Sequence, residues 1–85
     1  MRKIPRTFKL PFGKGKIIEE VSIQCPHWEP TIQLLEFEHG EKALRFCYYH
    51  GKQFGRSPMI VSNKDWRKLM REVRKTEQIR NILHK

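Results

Sequence analysis

Apolar residues recur along this chain at two periods, and the change from one to the other separates a sheet-forming part from a helical part. From Lys16 to Gln24 the chain reads KIIEEVSIQ, where Ile18, Val21 and Ile23 suit a strand better than a helix of that length. Two β-rich runs then fill Thr31 to His50 on either side of His39-Gly40-Glu41-Lys42, the pattern of an antiparallel hairpin. Pairing His39 with Lys42 sets Phe37 opposite Leu44, Leu35 opposite Phe46 and Gln33 opposite Tyr48. That register predicts one buried face made of Leu35, Phe37, Leu44, Phe46 and Tyr48, with Glu36 opposite Arg45 on the other face. Met59-Ile60-Val61 reads as a further short strand.

After Val61 the period lengthens. Ser62 precedes Asp65 by three residues, close to a capping box, and opens a long helix. Trp66, Leu69, Met70 and Val73 form one stripe at helical spacing, whereas Ile79, Ile82 and Leu83 lie on a rotated face. The slip predicts a bend near Lys75-Thr76-Glu77 or a separate partner for the last turns. Cys25-Pro26-His27-Trp28-Glu29-Pro30 is predicted as a turn or loop, because two prolines remove ladder donors. Gly51 to Pro58 reads as a basic, glycine-bounded connection. Residues 1–16 mix Pro5, Pro11, Gly13 and Gly15 with basic side chains and read as a loosely held arm or, at Phe8-Lys9-Leu10, an edge strand. The fold class that follows is α+β, three to five antiparallel strands followed by one long C-terminal helix, with residues 17–85 forming a single domain.

Charge adds a partner to this picture. The formal net charge is +9. Residues 1–16 carry Arg2, Lys3, Arg6, Lys9, Lys14 and Lys16 without an acid, residues 17–45 set six glutamates against Lys42 and Arg45, and residues 46–85 hold ten Lys/Arg against three acids. A polyanion is expected to meet the two basic zones first, and nucleic acid is the commonest such partner. No apolar run approaches membrane-spanning length, and the basic tail lacks the hydrophobic stripe of an interfacial helix, so no membrane partner is expected. Catalysis is not expected either. No serine, cysteine or lysine sits in a nucleophile motif, Phe12-Gly13-Lys14-Gly15 lacks the spacing of a phosphate loop, and Glu19-Glu20 and Glu36/Glu38 read as a solvated strand face. Only two cysteines and no secretory-type leader point to a reducing, intracellular setting, cytoplasm or nucleoid, or the nucleus of a eukaryote.

Aromatic side chains interleaved with cations give the leading candidate site. Tyr48 and Tyr49 end one strand, Phe54 follows in the connection, Trp28 lies in the neighbouring loop, and Lys42, Arg45, Lys52 and Arg56 are set among them. Bases of a single strand stack on such rings while cations track the phosphates. Phe37, Phe46 and Tyr48 also have a core reading from the hairpin register. The alternative chemistry is zinc, for which Cys25-x-His27 and Cys47-x-x-His50 supply two thiolates and two imidazoles. Against it, one residue between Cys25 and His27 is tight, and Cys47 and His50 point to opposite faces of a straight strand. That alternative is a zinc-stabilised protein-interaction module using Ile79, Ile82 and Leu83; otherwise no cofactor is expected.

The run Leu35-Glu36-Phe37 through a glycine turn into Ala43-Leu44-Arg45-Phe46-Cys47-Tyr48-Tyr49, then Gly55-Arg56-Ser57-Pro58-Met59-Ile60-Val61-Ser62 and Asp65-Trp66-Arg67-Lys68-Leu69, resembles the positive cofactor four family of transcriptional coactivators in its single-stranded-DNA-binding domain. The resemblance covers roughly residues 17–83. It implies a curved four-stranded antiparallel sheet, a helix packed against a second subunit, and a homodimer that binds single strands along its β-ridges, DNA before RNA. By position, Phe37 matches the aromatic before the family's hairpin turn, Tyr49 or its neighbour the strand-end aromatic, and Arg56 the arginine of its Gly-Arg segment. The turn departs from the family: it appears one residue longer, and Glu38 and Glu41 with only Lys42 stand where the family has lysines.

Overall fold

Period-two alternation over Arg6–Leu10 (β1), Gly13–Ser22 (β2), Glu29–Phe37 (β3) and Lys42–His50 (β4) builds an antiparallel meander in which each strand pairs with the next. This is seen in a computed structural model that describes residues 2–56 and 58–83. Met1, Ser57, His84 and Lys85, which belong to the predicted arm, connection and helix, lie outside the described residues. The far edge of β4 is covered by two short pieces, Gln53–Phe54 (β5) and Met59–Ser62 (β6), which pair with its two ends. Asn63–Arg74 (α1) and Glu77–Leu83 (α2) complete the chain.

The sheet is curled. In β2 the register slips between Ile17 and Glu19, a bulge that bends the strand and increases its twist. The first strand thereby turns back toward the fourth, and Arg6 of β1 reaches the Tyr49 hydroxyl of β4 at 3.3 Å. Phe8, Ile17, Leu35, Phe37 and Ala43 form the core on the inner face, where Phe8 meets Phe37 edge-on at 5.2 Å. Burying a ring of that size stabilises the fold by roughly 2–3 kcal/mol. Gly15 makes the close approach of β2 to β3 possible, since a Cβ there would collide with the Glu36 carbonyl oxygen and the Phe37 Cα. Phe8 ties β1 into this core, so the N-terminal segment is an edge strand rather than a loose arm.

Three sequence expectations are corrected. In the hairpin, Gln33 pairs with Arg45, Leu34 with Leu44, Leu35 with Ala43 and Glu36 with Lys42. The tip is Glu38-His39-Gly40, with Gly40 at φ 96°, its N–H donating to the Phe37 carbonyl, and the Phe37 N–H donating to that of Glu41, both at 2.9 Å. A three-residue tip ending in a left-handed glycine displaces the pairing by an odd number of residues, which turns β4 over. Ala43, Arg45, Cys47 and Tyr49 therefore join Leu35 and Phe37 inside, while Leu44, Phe46 and Tyr48 face out. Next, the loop after Cys25 is shorter than expected, for Glu29 and Pro30 already belong to β3.

The single long helix is two short ones. Ser62 caps α1, its Oγ accepting the Asp65 N–H at 3.1 Å, and Trp66 stacks on Phe46 at 5.6 Å, which seats α1 on the outer face of the sheet. At Thr76 the hydroxyl donates back to the Glu72 carbonyl at 3.1 Å and the N–H to that of Val73 at 3.0 Å, while the Thr76 carbonyl accepts the first bond of α2 from the Arg80 N–H. Local bonding by a threonine side chain competes with helix continuation and ends α1 where the apolar stripe slips.

Candidate functional site

The overturned hairpin places polar side chains inside the curl, and they satisfy one another in a chain. Gln33 is completely buried. Its Nε2 donates to Glu20 Oε2 at 2.7 Å and to the Tyr49 hydroxyl at 3.1 Å, and its Oε1 accepts Arg45 Nε–H at 2.7 Å. Arg6 grips Glu20 with both terminal nitrogens, at 3.1 and 2.7 Å. Arg2 does the same to Glu29 at 3.0 Å on each oxygen, a carboxylate that also accepts the Ser22 hydroxyl at 2.8 Å. The Arg2 guanidinium lies 3.3 Å above the centre of the Tyr49 ring. Burial raises the Glu20 pKa, but hydrogen bonds from Arg6 and Gln33 outweigh it and leave the carboxyl below its ordinary value. Glu29 is lowered by the Arg2 hydrogen bond and then by Ser22.

Arg45 is the member without a counter-ion. It is 7% exposed, yet among the described residues its guanidinium makes one hydrogen bond, through Nε, and has no carboxylate within ion-pair reach. It stands 4.9 Å over the ring of Phe54, which is 37% exposed and packs edge-on against Tyr49 at 5.2 Å. Arg6, Phe8 and Lys9 of β1 form one wall of a cleft whose other wall is Arg45, Tyr49, Phe54 and Pro58. The two carboxylates are taken by Arg2 and Arg6, so Arg45 leaves the cleft with excess positive charge. A planar guanidinium with open donors, partly desolvated beside an exposed ring, suits an oxyanion attached to something flat.

The eight side chains proposed from sequence separate into groups. Arg45, Tyr49 and Phe54 come together in the cleft, with Lys52 and Arg56 exposed on the segments flanking β5. Tyr49 is buried and carries Arg2 on its ring, so its role is to support the cleft rather than to offer a free stacking surface. Phe37 is core beneath the hairpin and has no open face for a ligand. Lys42 lies at the opposite end of β4, 4.0 Å from Glu36. Trp28 is on the outer side, edge-on to Tyr48 at 5.8 Å above a groove lined by Val21, Ile23, Ile32 and Phe46.

Arg6 and Gln33 were not singled out from sequence, and Glu20, expected on a solvated strand face, has a side chain only 4% exposed. The signal for Gln33 was the odd-numbered series Thr31, Gln33, Leu35 facing Cys47, Arg45, Ala43, legible only once the hairpin tip has three residues. Among the described residues no three His, Cys, Asp or Glu side chains come together as metal ligands, and the Cys25, His27, Cys47 and His50 set does not form. Burial pushes the Cys47 thiol up. Comparison of the chain with protein-family models, with curated proteins and with solved structures finds no match.

Proposed function

We propose that the protein binds single-stranded nucleic acid, DNA in preference to RNA, without catalysing a reaction, and acts as a homodimer in transcription or DNA maintenance. The observation that carries the binding reading is Arg45, a buried residue whose guanidinium has no carboxylate partner among the described residues and is held over the exposed ring of Phe54. Its open donors suit a phosphate, and the ring suits a base next to that phosphate; a base in a duplex is already stacked and has no use for the ring. Lys9, Lys52 and Arg56 are exposed around the cleft and extend the positive track. The choice of DNA, the homodimer and the process rest on the resemblance to the positive cofactor four family.

Fluorescence anisotropy of labelled oligothymidine tests the reading. A base stacked on an aromatic side chain contributes about 1–3 kcal/mol, so Phe54→Ala is expected to weaken binding roughly tenfold. Arg45→Gln is expected to lower the slope of log affinity against log salt by about 0.7, the loss of one phosphate contact on a single strand. Affinity and slope unchanged in both variants would remove the cleft from consideration.

A further inference from the structure

Opposite its apolar stripe, α1 carries a second pattern. Lys64, Arg67, Lys68, Arg71 and Arg74, continued by the cap residue Lys75, recur at spacings of three and four. At about 100° per residue they share one side of the helix, opposite Trp66, Leu69, Met70 and Val73. All six are exposed, and among the described residues only Lys75 has an acidic partner, Glu72 at 3.2 Å. Lys64 and Lys68, Arg67 and Arg71, and Arg71 and Lys75 are like charges one turn apart, which repel one another until an anion lies across them.

We propose that this ridge is a second binding surface, one that takes the phosphate backbone of a nucleic-acid duplex. From Lys64 to Arg74 it runs about 15 Å, and a duplex presents one negative charge per about 1.7 Å of its axis, a density few other ligands match. Trp66, the aromatic ring of α1, lies on the opposite side against Phe46, so unpaired bases have nothing on the ridge to stack on, whereas phosphates alone suffice for a duplex. A membrane fits less well. An interfacial helix must insert its apolar face, and that of α1 is engaged except at Leu69, with Trp66 stacked on Phe46 and Val73 buried. The ridge lies on the outer side of the sheet, away from the cleft. A single molecule can then hold a duplex outside and a single strand inside, a consequence that rests on the cleft reading, while duplex binding itself does not.

The test is anisotropy of a blunt-ended labelled duplex with the whole chain and with a triple variant, Arg67→Gln, Lys68→Gln and Arg71→Gln, whose helix content is checked by circular dichroism. Glutamine keeps good helix propensity at exposed positions. Duplex affinity at low salt is expected to fall at least tenfold and the salt slope by about 2.7, the value for three lost phosphate contacts. Oligothymidine binding should survive the triple variant, and Arg45→Gln should leave duplex binding intact. Duplex binding that is absent, or unaffected by the triple variant, overturns the proposal. So does binding to phosphatidylserine vesicles that depends on the same three residues while duplex binding does not. If the duplex binds through the ridge and oligothymidine does not bind, the ridge stands and the cleft reading fails.

Discussion

Gln33 connects three groups across the inside of the curl, since its amide donates to Glu20 and Tyr49 and accepts from Arg45. Replacing it by leucine keeps the volume, takes from Arg45 its one hydrogen bond among the described residues, and leaves Glu20 and Tyr49 to Arg6 alone. A buried donor or acceptor left alone costs about 1–3 kcal/mol, and members of a network reinforce each other, so Gln33→Leu is expected to cost roughly 2–3 kcal/mol. For a domain of this size that is a drop of roughly 10–20 °C in Tm, read by thermal unfolding. An unchanged Tm would mean that water replaces the amide. Arg45 shows why this network was illegible beforehand: an arginine in a strand is assigned to solvent by default, and only a buried glutamine directly opposite it makes an inside position tolerable.

Among the elements, β1 is held by chemistry that titrates. Glu20 and Glu29 both have folded-state pKa values below the ordinary 4.5, so the stability they supply is fully present above pH 4.5 and is lost as pH falls through the lowered values. Tm is expected to decline in acid, and Glu20→Gln to show a lower Tm near neutrality with a shallower acid decline; parallel curves for the two proteins would show that the Arg6 clasp contributes nothing. The hairpin and the helix start at Ser62 were legible from local signals, two β-rich runs around a glycine and a cap, whereas the slip in the apolar stripe left a bend and a separate partner both open and the expected single helix divides there in two. The register was not legible. β4 is covered on both sides, by Ala43, Cys47 and Tyr49 within and by Leu44, Phe46 and Tyr48 without, so neither face of the strand reads as the solvent face and hydrophobicity cannot choose between tips of two and three residues.

For the whole molecule, size and uncovered apolar surface point the same way. A domain this small buries a modest fraction of its surface, and none of the α2 side chains is buried; Ile82 is 75% exposed. If α2 of one copy covers the outer groove of another, sedimentation velocity should give a dimer, and Ile82→Asp a monomer with unchanged circular dichroism. A monomeric parent protein would remove the homodimer from the proposal. The clasp between Arg6 and Tyr49 has a further consequence, for it joins residues 43 apart in sequence whereas the hairpins join neighbours. Closing so large a loop is entropically slower than zipping a hairpin, and the clasp has nothing to fasten to until β2, β3 and β4 lie in register. Topology thus favours an order of assembly in which the hairpins, β1 on β2 among them, zip early and the clasp that shuts the cleft closes last, and the same clasp is the first contact to part when the molecule opens locally.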